Sequence, residues 1–380
     1  MKFTLKSGPH IFMGAGQKTK SRNAIMQNNV LKALSFVALW SIANRFIVFG
    51  PAVGIHVILI LVTAVVSSLT AHTSFYLFFD WLDKKPFETF KERFAATIPR
   101  TLGGAPLVTA LILGLAVQPG IALYVLFVAV FFAEVIGKLL YGGYGQNIFN
   151  PVAVGLIFIA LAFGGTTIST WYLPEAVTGA TPLRYLNEAN WILTPDGVWD
   201  FIAYQGGLLN MFAGLVRGSF GETARFALLL ALGYLIYKKA LDWVLPLFYL
   251  GSIFMIALLQ GLVVGAGFMY PVVHLLTGGV IFGAVFLITD PVTTPINRQG
   301  KMIFAIFMAM FTLLIRFNSS HMEGVAFSVL LMNMFVPLID TKTANVTTSQ
   351  PQKKIQSIMV VFGIAAVVVL GFTFLMNTFA

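Results

Sequence analysis

Cysteine is absent from the chain. That excludes cysteine-ligated iron–sulfur clusters, thioether-linked haem and disulfides within it. Charge is scarce too. Asp, Glu, Lys and Arg make up 10% of the residues, against about 25% in an average soluble domain, while 58% are hydrophobic. A surface so poor in charge excludes a dissolved monomer, and lipid is the expected solvent. A cleavable export signal is also missing. Met1–Asn29 is polar and basic, with no apolar core followed by small residues, so the first helix is expected to serve as an uncleaved insertion signal. Acidic residues number 14 against 24 Lys and Arg, a net charge of +10. Such a balance raises nucleic acid as a partner, but the basic residues fall in short segments between apolar runs, where they act as topology determinants. No nucleic-acid partner is expected, and membrane lipid is.

What is present is a series of apolar runs, Ile55–Val66, Pro151–Phe163 and Ile358–Met376 among them, approaching the roughly 20 residues that cross a bilayer core. They predict an all-α polytopic membrane bundle with eleven helices, near 31–49, 52–73, 103–118, 121–139, 150–164, 222–237, 243–260, 271–288, 301–316, 324–339 and 356–377. Residues 1–30 then form an N-terminal segment, 31–342 a membrane domain, and 343–380 a linker with an extra transmembrane helix. With alternating loops, nineteen of the 24 basic residues share one side. Arg184, Arg217, Arg225 and Arg316 fall on the other, and Arg45 lies within a helix. The basic side is cytoplasmic by the positive-inside rule. The N-terminus is therefore expected inside and the long loop 165–221 outside. An internal echo pairs Gly103–Pro106 and Pro151 with Gly221–Ala224 and Pro271. The topology gives the two copies opposite orientation, as in inverted-repeat transporters with sites at the repeat interface.

Several segments have the residue types for chemistry. In Val177-Thr178-Gly179-Ala180-Thr181-Pro182-Leu183, small residues and the proline favour an open turn that presents the Thr181 hydroxyl. Taken alone, this is an ordinary turn with a hydroxyl–backbone bond. Gly142–Pro151 is glycine-rich but lacks the Gly-Lys-Ser/Thr ending of a phosphate loop. Its Asn147 and Asn150 flank a helix start with Pro151 in first position. They either cap that helix or line a second cofactor or ion path, faced by Thr289–Pro295. Asp290 in that second segment either accepts local backbone bonds or helps bind a cation. Glu222 suits a helix N-terminus, and Arg217 or Arg225 beside it suits a phosphate. Arg45, Glu134 and Lys138 are ionisable at membrane depth. Glu134 and Lys138, four apart, are spaced to neutralise each other.

In order and spacing these pieces resemble a known family. Ser7-Gly8-Pro9-His10-Ile11, Gly142–Pro151, Val177–Leu183, Thr289–Pro295, Leu330–Met334 and Val336–Asp340 are similar to the D subunit of the Rnf ion-translocating electron-transport complex. They are also similar to its relative, the B subunit of the sodium-pumping NADH–quinone oxidoreductase. The resemblance implies ten family-like helices plus the extra C-terminal one. It implies FMN linked through its phosphate to Thr181, within a motif of Thr178, Gly179, Ala180 and Pro182, and a non-covalent riboflavin in the membrane core. It further implies a bacterial or archaeal cytoplasmic membrane, a multi-subunit complex with a second FMN-bearing subunit, and a flavin transferase for maturation. The chain would pass electrons between flavins, coupled to Na⁺ or H⁺ transport, as part of an oxidoreductase rather than an enzyme alone. No metal site is implied. Two positions depart from the family pattern. Ala71-His72-Thr73-Ser74 stands where the second helix usually ends with glutamate, and Gly103-Gly104-Ala105-Pro106 where the third usually opens with an acidic residue and serine. Both bear on ion specificity and on pumping. A solute channel and a non-pumping flavin subunit are the rival readings.

Overall fold

The computed structural model describes residues 16–83, 89–118, 120–163, 186, 194–216, 218–318, 324–344 and 351–379. Among them every regular element is a helix. The first six are α1 (Gly16–Phe49), α2 (Pro51–Leu82), α3 (Phe90–Gly103), α4 (Pro106–Ala116), α5 (Leu123–Gly137) and α6 (Pro151–Phe163). Three short ones follow, α7 (Pro195–Tyr204), α8 (Leu208–Ala213) and α9 (Phe220–Thr223). The rest are α10 (Arg225–Tyr237), α11 (Val244–Val264), α12 (Tyr270–Leu276), α13 (Val280–Leu287), α14 (Arg298–Asn318), α15 (Gly324–Thr343) and α16 (Pro351–Phe379).

By length and composition, 7 described helices can cross a membrane, or up to 9 if each of two bent pairs counts as one span. The bent pairs are α3–α4 at 60° and α12–α13 at 64°. The shorter apolar helices α6 and α10 occupy the two remaining positions expected from sequence. The chain is a multi-pass, all-α membrane protein.

The bends are where expectation and structure part. Residues 103–118 were expected as one helix entered from a loop. Instead α3 precedes the bend, capped by the Thr89 hydroxyl, which accepts from the Glu92 N–H at 3.3 Å. Ala105 takes a left-handed conformation at φ 51° between α3 and α4, a strained choice for a residue with a Cβ that precedes proline. The second bend breaks the helix expected over 271–288. There Arg316, buried on α14, donates to the carbonyls of His274 and Thr277 at 3.0 Å each. Carbonyls freed by a break need such a donor where water is excluded. Beyond it, α13 winds as a π-helix over Gly283–Leu287.

Packing reveals a repeat. In the first half α2 packs on α5 and on bent α4, and α5 on α6; in the second, α11 packs on α14 and on bent α12, and α14 on α15. The third apolar helix position of each half is the bent one. The register differs from the sequence echo, which paired the α4 region with the α10 region. Glycine and proline recur at many helix breaks, so spacing alone chose the wrong partners. The halves meet where α1 packs on α10, α4 on α9, and α6 on α15. Small residues allow the approach: a Cβ on Gly221 of α9 would lie 2.8 Å from both Leu115 and Phe282.

Candidate functional site

A cavity opens between the halves. Its walls are mostly apolar, with Val108 and Ile112 of α4, Leu235 of α10, and Val285 and Phe286 of the π-helical turn. The polar groups converge at one end: Gln27, Thr109, Lys138, Tyr144, Asn147, Asn150, Thr289 and Asp290. Apolar faces with a few placed polar groups are the usual build of a cofactor pocket. A π-helical turn in the wall is a common mark of a functional site.

Three of the residues singled out from sequence meet here. Asn150 caps α6, its Oδ1 accepting from the N–H of Val152 at 2.9 Å, and its Nδ2 donates to the Leu287 carbonyl at 3.1 Å. Asn147 donates to the Phe149 carbonyl at 3.0 Å. Asp290 accepts from the Val292 N–H at 3.1 Å and the Thr293 hydroxyl at 3.2 Å. Burial pushes the Asp290 carboxyl up, against the pull of those two bonds and of the Lys138 charge. Asn333, a member of the Leu330–Met334 motif, ties the loops together. Its Oδ1 accepts from the Asn150 N–H at 2.9 Å and its Nδ2 donates to the Thr293 carbonyl at 3.0 Å.

Beside the cavity lies a buried polar cluster. Glu134 of α5 accepts from Ser68 at 2.6 Å through Oε1 and from Lys138 at 2.9 Å through Oε2. The same Oε2 lies 3.0 Å from Nε2 of His72 on α2. Lys138 also donates to Thr109 at 3.1 Å. The Glu134–Lys138 pair was expected from spacing. His72 was not, and the clue to it was its place where the family's second helix carries glutamate.

The other expected residues lie elsewhere. Glu222 is buried on α9, near enough for its charge to act on Arg225. Arg225 turns inward to the Met211 carbonyl. Arg45 donates to the carbonyls of Val216 and Gly218 at 3.1 Å and to the Thr223 hydroxyl at 2.7 Å. Thr178, Gly179, Ala180, Thr181, Pro182 and Arg217 lie outside the described residues.

Comparison with known proteins places the chain. The family model described as NQR2, RnfD, RnfE family matches residues 4–349. The D subunit of the proton-translocating ferredoxin:NAD(+) oxidoreductase complex of Clostridium ljungdahlii is 32% identical over 90% of this chain and 94% of the relative. The D subunit of the Na(+)-translocating ferredoxin:NAD(+) oxidoreductase complex of Acetobacterium woodii is 31% identical over the same shares. The D subunit of the ion-translocating oxidoreductase complex of Stutzerimonas stutzeri is 33% identical over 63% of this chain and 74% of that protein. The chain belongs to the NQR2, RnfD, RnfE family.

Proposed function

We propose that this chain is the flavin-carrying membrane subunit of an ion-translocating electron-transport complex. It bears FMN esterified through phosphate to Thr181 and holds a second, non-covalent flavin, riboflavin, in the cavity between its halves. One observation carries the reading. Two loops far apart in sequence, Gly142–Pro151 and Thr289–Pro295, converge on a single cavity with apolar walls and a polar end. That shape suits a flat ring system with heteroatoms along one edge. Val285 and Phe286 would face the ring, and Asn147, Lys138 and Asp290 would meet its polar edge. When bound, the isoalloxazine supplies the redox chemistry; the protein supplies placement and electrostatics. Two flavins are needed, because a core of about 30 Å is too wide for one carrier at its edge.

The relatives' names support membership of a larger complex. The proposed partners are its remaining subunits, a second FMN-bearing subunit among them, and a flavin transferase. The proposed setting is a bacterial or archaeal cytoplasmic membrane with the N-terminus inside and the Thr181 loop outside. A solute channel would need a polar path through the centre. There the Gly221 backbone packs directly on Leu115 and Phe282. The test is mass spectrometry after base hydrolysis of the chain matured with its transferase. FMN is expected from wild type and from Thr178→Ala, and is expected to be missing from Thr181→Ala. A wild-type chain unmodified at Thr181 would sink the reading.

A further inference from the structure

We propose that His72, Glu134 and Lys138 form a proton relay leading from the α3–α4 bend to the cavity, so that the ion delivered there is a proton and not sodium. The inference rests on the reading that the cavity holds a redox ring.

From His72 to the cavity the hydrogen bonds are continuous, and Arg100 and Tyr76 flank the outer end by ring contacts. Arg100, its side chain 34% exposed, pairs with buried Asp80. Its guanidinium lies 4.8 Å from the centre of the Tyr76 ring, which meets the His72 ring edge-on at 6.2 Å. From His72 the hydrogen bonds run 3.0 Å to Glu134 Oε2, then 2.9 Å to Lys138. Lys138 and its partner Thr109 both line the cavity. Tyr144 and Asp290 are the remaining titratable groups that line the cavity.

Two features give the cluster a direction. His72 Nδ1 is buried without a hydrogen-bond partner among the described residues. It points at the α3–α4 bend, where a Cβ on Gly104 would lie 2.8 Å from it. The bend therefore leaves one ring nitrogen open while the other is committed to Glu134. A hard cation finds no seat here. Both carboxylate oxygens of Glu134 are taken by donors, one of them an ammonium that repels a second positive charge.

The relay moves protons only. With a ring in the cavity reduced by an electron pair from the proposed redox partner, Lys138 Nζ would be the group placed to give up its N–H proton to a basic ring atom. Lys138 is reprotonated through Glu134 Oε2 from His72 Nε2. His72 gains a proton at Nδ1 from water at the bend. One proton enters at the bend and one reaches the cavity.

The experiment follows proton uptake with a pH-indicator dye by stopped flow while the purified complex is reduced; flavin absorbance counts electrons and reports occupancy. His72→Gln, which keeps a hydrogen bond but cannot relay, and Glu134→Gln are expected to slow uptake at least tenfold with flavin content unchanged. Lys342→Gln, exposed at the end of α15, should match wild type. Wild-type uptake in His72→Gln with the flavin in place overturns the relay. If that variant does not assemble, wild type decides: uptake indifferent to sodium supports the proposal, and uptake that falls as sodium rises overturns it. A wild-type chain with no cavity flavin sinks the cofactor reading alone. The relay is then judged by infrared difference spectra between two pH values. A carboxyl band lost in Glu134→Gln and shifted in His72→Gln supports it, and the lack of any such band overturns it.

Discussion

Asn150 joins three parts of the protein through one residue. Its Oδ1 caps α6, its Nδ2 holds the Leu287 carbonyl at the end of the π-helical turn, and its backbone N–H binds Asn333. Alanine there would orphan the buried Leu287 carbonyl and remove the cap. An unsatisfied buried group costs about 1–3 kcal/mol and a lost cap about 1 kcal/mol. Asn150→Ala is therefore expected to destabilise the chain by about 2–4 kcal/mol and to empty the cavity of flavin, read by thermal unfolding in detergent and by absorbance. Asn150→Asp keeps the acceptor that caps α6 and should lose less. Asp290 predicts the opposite trend. Burial raises its folded pKa, so protonation favours the folded state. Its stabilising contribution is fully present below the unfolded value of about 3.9 and is lost as pH rises through the folded value. Asp290→Asn should then melt at the same temperature as wild type or higher near pH 7, with the gap closing as pH falls. A variant that is less stable at pH 7 and recovers on acidification would have the sign wrong.

At the scale of elements, the two bent spans meet across α9. A Cβ on Gly221 would press on Leu115, including its backbone oxygen at 2.9 Å, and on Phe282, so the obstruction cannot simply swing away. Overpacking of this kind costs about 1–3 kcal/mol, and Gly221→Ala should lower the melting temperature accordingly. Gly233 of α10 has nothing within 4 Å of its would-be Cβ. Gly233→Ala should be neutral or stabilising by up to about 1 kcal/mol from helix propensity. These bends explain which parts of the fold could be read in advance. Apolar runs located every span, because burial in lipid needs only length and composition. The helix α3 went unseen because Lys91, Arg93 and Arg100 read as loop charges, although Thr89 and Glu92 spell a capping pair. Glu134 and Lys138 were legible as a pair because helical spacing sets them together. His72 is 62 residues from Glu134, and only the packing of α2 on α5 joins them. Asn147, Asn150 and Asp290 were legible as facing loops, but the cavity between them depends on how the halves dock.

At the scale of the whole molecule, α16 stands apart from the rest. The family match ends at residue 349, and α16 begins at Pro351. It lies on α14 and α11 through a seam of buried Ala365, Ala366 and Val369, and Gln299 donates to Ser357 at 2.8 Å. Its outer side, with Met359, Val360 and Val367, is exposed. No residue of α16 lines the cavity or belongs to the relay. Between helices in lipid there is little hydrophobic force, because the tails are as apolar as the side chains. A seam of this kind holds mainly by packing. The described helices before it thus contain the cavity without it. A chain ended after Ala344 should insert, run as a single species in detergent, bind flavin at the wild-type ratio and melt only a few degrees lower. Loss of flavin from the shortened chain would mean that α16 holds α14, and through it the π-helical wall of the cavity, in place. In that case the packing of half on half is not sufficient by itself to shape the site.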